Sequence, residues 1–123
     1  MATIAGSVRG IVLLNEELNG DDGYGALVYF TMGAYTAASD NGQLTNIATA
    51  IQNTRRDGKT VTLVDACHAR RGAQSTTEFE TRTWAVSSGS LTFNVTNTSG
   101  SEVDAASGVT TRPLCAYVAY TLS

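Results

Sequence analysis

Apolar residues recur at Leu44, Ile47, Ala48 and Ile51, the i, i+3, i+4, i+7 spacing of one helix face. A polar break follows from Asn53 to Lys59, and then a β-branched run, Thr60 to Val64. The pattern predicts a short helix beginning near Gln43, a tight charged turn, and a strand reaching His68. In that strand alternation places Val61, Leu63 and Cys67 on one face, with Val64 and Ala66 on the other. Apolar residues on both faces predict a central, buried position.

Elsewhere the period is two or the apolar runs are short. Ser7–Leu14 reads as a first strand or as an extended N-terminal arm. Ala26–Met32 reads as a strand interrupted by Gly33, with Ala34 to Ala37 continuing beyond a bulge. Glu78–Ser87 alternates Glu80, Arg82, Trp84 and Val86 against Phe79, Thr81, Thr83 and Ala85. After Ser88-Gly89 the chain alternates Leu91, Phe93 and Val95 with polar residues, which predicts a hairpin. Leu114–Leu122 closes the series with Ala116, Val118, Tyr120 and Leu122 on one face. Ser39-Asp40-Asn41-Gly42 reads as a turn and helix cap, Arg56-Asp57-Gly58-Lys59 as a second turn, and 97–113 as a long loop. About six or seven strands and one short α-helix predict a single mainly β domain over residues 1–123. Its architecture is expected to be an antiparallel β-sandwich, jelly roll or small barrel.

Composition narrows the function classes. The chain has 123 residues, a length for one domain. Eighteen threonines, 10 serines and 12 glycines against one proline favour strands and turns over a helical bundle. The net charge of -3 disfavours nucleic acid as the main partner, because phosphate binding needs a basic face. No apolar run approaches the length of a membrane span. The first ten residues lack a charged segment followed by a long apolar core, so no secretory signal is read there. Cys67 and Cys115 both lie in apolar runs and are expected to be buried free thiols.

No residue pattern states a reaction, and the chain is expected not to be an enzyme. His68 is the single histidine. With Cys67, Cys115 and Asp65 it invites a metal site, but neighbours on a strand point to opposite faces and the spacing matches no zinc motif. Neither metal nor cofactor is expected. The acidic loop 15–25, with Glu16, Glu17, Asp21 and Asp22, lacks calcium-loop spacing and reads as a solvated surface. Its glycines lack the strand-to-helix context of a phosphate loop. Arg55-Arg56 and Arg70-Arg71 are basic pairs that suit either an acidic partner surface or a solvated helix end and loop.

The run Asn41 to Leu63, the Thr/Ser-rich hairpin and the closing Ala116-Tyr117-Val118-Ala119-Tyr120 together resemble small head decoration, or cement, proteins of tailed bacteriophages. That resemblance implies a virion structural protein on the outer capsid surface, assembled in the bacterial cytoplasm. It would bind the major capsid protein and stabilise contacts between capsomers, acting as a homodimer or homotrimer. The residues expected at such an interface are Ile4, Val8, Ile11, Arg55, Arg56, Lys59, Arg70 and Arg71, with Ile4 to Leu14 adding a strand to a partner sheet. The alternative of another class is a ligand- or carbohydrate-binding β module of a phage tail or host-recognition apparatus.

Overall fold

The computed structural model describes residues 2–14, 23–69, 79–97, 99–105 and 114–123. Among the described residues seven strands and one helix are formed: β1 (Ala2–Leu13), β2 (Tyr24–Met32), β3 (Asp40–Leu44), α1 (Ile47–Arg55), β4 (Val61–His68), β5 (Glu80–Ser87), β6 (Ser90–Thr96) and β7 (Leu114–Leu122). The strand order is β4-β7-β2-β1-β3-β6-β5, a mixed sheet nearly closed into a barrel. All neighbours are antiparallel except β1 and β3, which are parallel. The mainly β class, the single short helix and the small-barrel alternative are as expected; the parallel pair is not.

β1 makes that pair possible. Its residues 2–5 pair with β3, and its residues 6–13 pair with β2 on the opposite edge. One long strand therefore joins two sheets, a corner of the kind found where sheets pack across each other. Gly6 sits at the changeover, where a Cβ would press on Leu44 and Phe30. The N-terminal stretch is thus woven into the sheet and is not an arm held ready for a partner. Deleting it would remove a strand from between β2 and β3.

β3 corrects the expected helix start. Asp-Asn-Gly-Gln-Leu has little strand propensity, and its turn-forming residues masked it. The ladder with β1 and β6 imposes the extended form. Leu44 consequently ends a strand, and the helix begins at Ile47 behind Asn46, whose left-handed backbone makes no side-chain cap. The helix N-terminus instead docks on the β5–β6 turn: Ala48 N–H donates to Gly89 O (3.1 Å) and Asn46 N–H to Ser90 Oγ (2.9 Å). Ile47, Ala48 and Ile51 face the core, as their spacing requires.

The core is built on rings. Phe93 lies between Phe30 (centroids 5.4 Å) and Trp84 (4.5 Å), and Trp84 meets Phe30 edge-on at 6.4 Å. These offset and edge contacts are the arrangements aromatic quadrupoles favour. Phe93 pairs with Gly42 across the β3–β6 ladder, and a Cβ at Gly42 would overlap its ring. Ser88 (φ 46°) and Gly89 (φ 84°) both have positive φ, which suits the expected tight hairpin.

Two bulges shift side chains between faces. In β4 the register slips at Val64, so Ala66 turns inward while Val64 (57% exposed) and Cys67 face out. β4 is therefore a terminal strand with a solvated outer face, not a central buried one. Cys115 is buried and Cys67 exposed, and neither forms a disulfide; the expectation of two buried thiols is corrected for Cys67. In β5 the slip between Arg82 and Ala85 includes Thr83, in the left-handed region at φ 58°, and returns Trp84 to the core.

A polar staple holds the end of the barrel beyond β2. Tyr35 does not continue the strand; it forms an isolated bridge to Ala105. Its buried hydroxyl donates to Glu102 Oε1 at 2.5 Å, and Ala38 N–H donates to the same oxygen at 3.0 Å. Ala37 N–H binds Asp104 and Thr36 N–H binds Asp40, both at 2.8 Å. Three successive amides are thus each taken by a carboxylate, which meets the requirement that backbone donors be paired.

Two outcomes follow from this packing. Gly42→Ala should destabilise by about 1–3 kcal/mol or more in urea denaturation, because a methyl must displace the Phe93 ring. The Tyr35 hydroxyl is pushed up to about 12, first by burial and then by its bond to Glu102. A value raised above the ordinary 10 means this contribution is complete below pH 10 and is lost as pH climbs through about 12. Glu102 is held below its ordinary 4.5, first by the Tyr35 bond and then by Ala38 N–H. Its contribution is present above that value and lost as pH falls through the depressed one. Tyr35→Phe should therefore lower stability at pH 7 by roughly 1–2 kcal/mol and shrink both the alkaline and the acid falls of the melting temperature. Identical pH profiles in the two proteins would disprove the linkage.

Candidate functional site

β4 and β5 stand side by side at the two ends of the strand order, and among the described residues no backbone ladder joins them. The barrel is closed there by a side chain. Thr81 N–H donates to His68 Nδ1 at 3.3 Å, and the Thr81 hydroxyl lies 3.2 Å from the same nitrogen. An amide donor requires Nδ1 to be the unprotonated nitrogen, so this bond selects the tautomer with hydrogen on Nε2. His68 reaches Thr81 because the Val64 bulge has turned the inward face of β4 by one residue.

Next to this contact the seam opens into a groove of about 630 Å³. Ala66, Cys67 and His68 form the β4 side, and residues 80–84 the β5 side. Glu80 is almost fully buried and is bound by Arg82 at 2.8 Å, while the Arg82 side chain remains 48% exposed. A buried carboxylate needs such a partner. Arg82 also lies over Gly100, whose absent side chain leaves room for the guanidinium. Trp84 contributes an indole N–H that is shielded from solvent and meets no acceptor among the described residues. Across the β4–β7 ladder Cys67 faces Tyr117, whose hydroxyl is raised by burial and then by the nearby thiol.

The expected interface residues distribute as follows. Ile4 and Ile11 are half-buried against the core, whereas Val8 is 40% exposed. Arg55 turns inward: it binds Asp57 through Nε (3.0 Å) and a terminal nitrogen (2.7 Å), donates to the Tyr120 hydroxyl (3.1 Å), and lies over the Tyr24 ring at 5.3 Å. This bond is the leading cause that holds the Asp57 carboxyl below its ordinary range, followed by Lys59 N–H. Arg55 thus locks the helix end to the stacked Tyr24–Tyr120 pair. Arg56, the left-handed helix cap, and Lys59 are exposed. Arg70 and Arg71 lie outside the described residues, as do residues 15–22 of the acidic loop. Among the described residues no hydrogen bond or ion pair joins the β1 set to the helix-end set.

The groove was not legible from residue spacing. Glu80, Arg82 and Trp84 were expected on one face by alternation, but the Thr83 bulge breaks that face, and a threonine carries no signal for a left-handed conformation. Among the described residues no three of His, Cys, Asp and Glu gather in a way that could hold a metal ion. Cys67 faces out while His68 is engaged with Thr81 across the seam, as their adjacency on a strand requires.

His68→Phe keeps a ring at the seam but strands the Thr81 amide, whose residue is 1% exposed. It should cost about 1–3 kcal/mol in urea denaturation, while Cys67→Ser, on the open face, should be near neutral. Equal stability of His68→Phe and the parent would show that the seam is held by other contacts. No protein family, no curated protein and no solved structure matches this chain.

Proposed function

We propose that this chain is a non-catalytic virion protein of the head-decoration kind, binding the major capsid protein on the outside of a phage shell as a homodimer or homotrimer. The resemblance set out under the sequence supports the class. The observation that carries the reading is the open edge of β1. Residues 6–13 pair with β2 on one side, and among the described residues no strand covers the other. An uncovered edge offers backbone donors and acceptors to a partner strand. Val8 and Val12 (48% exposed) present apolar surface along it.

The edge is not open to every comer. A bulge between Val8 and Gly10 interrupts it, and Arg9, bound to Thr31 Oγ1 at 3.1 Å, sits within that bulge. A charged, bulged edge resists pairing with copies of itself. A capsid segment suits it when its own register accommodates the bulge and an acidic group meets Arg9. Each such contact is modest, and a lattice that repeats it ties subunits together through multivalency.

The Val8→Lys, Val12→Lys double variant should melt within a few degrees of the parent, since both side chains are exposed. It should no longer co-sediment with empty expanded shells of the phage's own major capsid protein, to which the parent binds. Undiminished co-sedimentation of the variant, or no binding by the parent, would sink the reading.

A further inference from the structure

We propose that the His68–Thr81 contact makes the β4–β5 seam acid-sensitive, so that a proton on His68 Nδ1 parts the two strands. The ground is geometric. β4 and β5 are the terminal strands of the order, and the bond from the Thr81 amide to Nδ1 crosses the seam between them. That bond exists only while Nδ1 keeps its lone pair. Once Nδ1 is protonated, two N–H groups face each other across 3.3 Å. The Thr81 hydroxyl, 3.2 Å away, can turn to accept from the new N–H, but the amide has no such freedom. Thr81 is 1% exposed, so water does not reach the stranded amide while the seam stays shut. A buried donor left unpaired is costly, and separation of the strands admits the water that meets it. Histidine is the side chain whose charge ordinarily changes near neutral pH, and His68 is half-buried, within reach of solvent protons.

The charged and titratable groups around the ring, among the described residues, come from four strands and helices. β5 brings Glu80 and Arg82 to the same groove; Glu80 favours an imidazolium, and Arg82, bound to it at 2.8 Å, offsets that pull. β4 itself brings the outward-facing Cys67 and Asp65, whose carboxylate takes the Ala66 N–H. β7 brings the buried Cys115 and, opposite Cys67, Tyr117, whose hydroxyl is raised by burial and stays neutral here. α1 meets β4 at its far end, where Val61 N–H donates to Gln52, and its Arg55 is engaged by Asp57 and Tyr120. The unfolded chain, with no seam bond to lose, takes up the His68 proton at about pH 6.5, and the folded chain resists it. Stability from the seam is therefore whole above that pH and is lost as pH falls below it.

Melting temperatures of the full chain and of His68→Asn are compared at about pH 7.5 and about pH 5, on either side of ordinary histidine titration. The asparagine Oδ1 stands where Nδ1 stood and accepts the amide without titrating. Between the two pH values the parent should lose about 2–4 °C more than the variant. Glu102 and Asp57, held below their ordinary 4.5 and 3.8, are common to both proteins and titrate outside that window. By NMR, His68 of the folded parent should take up its proton at lower pH than in the urea-unfolded chain. Over the same window the Thr81 amide should lose roughly tenfold in exchange protection, more than the amides of the β2–β7 ladder. These two readouts use the parent alone, so they decide the matter even where His68→Asn does not fold. Equal losses in the two proteins, a folded His68 protonated at the same or higher pH than the unfolded one, or unchanged protection at Thr81 would each overturn the proposal. None of these measurements involves shells, so the outcome is independent of the capsid reading.

Discussion

The contact on which the fold rests is the Phe93 ring against the backbone of Gly42. No side chain can stand at Gly42 while that ring is in place. The ring in turn carries Phe30 from β2 and Trp84 from β5, strands that lie far apart in the sheet order. One aromatic contact therefore bridges the barrel interior, and the chain can place it only where β3 runs as bare backbone. Gly6 repeats the device on β1, giving way to Leu44 and Phe30. Interiors packed to crystal-like density leave little slack for such rings. The parallel β1–β3 pair is the backbone solution that supplies the room.

The seam is the cost of closing the sheet in this way. Seven strands bring β4 and β5 together without the register needed for a ladder, so the bond from the Thr81 amide to His68 Nδ1 spans the seam in place of backbone pairing. Side chains holding a barrel shut leave gaps that backbone ladders do not. The groove lies there for that reason, and its polar lining follows from the same cause: the groups that close the seam must be hydrogen-bonded where no strand lies alongside.

Much of the architecture could be read directly from the sequence. Period-two alternation located the β5–β6 hairpin, and the apolar run from Leu114 matched β7 residue for residue. The helix face of Ile47, Ala48 and Ile51 was legible from its spacing. Three elements were not, and each has a physical reason. β3 is a strand by partnership, since Asp40 to Gly42 prefer turns in isolation. The faces of β4 and β5 are scrambled by bulges at Val64 and Thr83, residues with no local preference for them. Tyr35 and Glu102 lie 67 positions apart, and only the folded chain joins them. The groove inherits all of this opacity, because a bulge shapes each of its walls.

Charge economy connects the interior to the surface. Of the described cations, Arg55 is spent on the tyrosine stack and Asp57, Arg82 on Glu80, and Arg9 on Thr31. The basic pair at residues 55–56 is thereby divided: one member is a structural clamp and the other is solvated. Among the described residues only Arg56 and Lys59 are exposed cations without a side-chain hydrogen bond or ion pair, in a chain of net charge -3. What it can offer is backbone along β1 and apolar side chains beside it. Backbone pairing is directional and tolerant of sequence, while the Arg9 bulge supplies the discrimination that bare backbone lacks. The proposed shell contact would ask for that combination: modest strength at each site, a fixed geometry, and rejection of self-pairing through this edge.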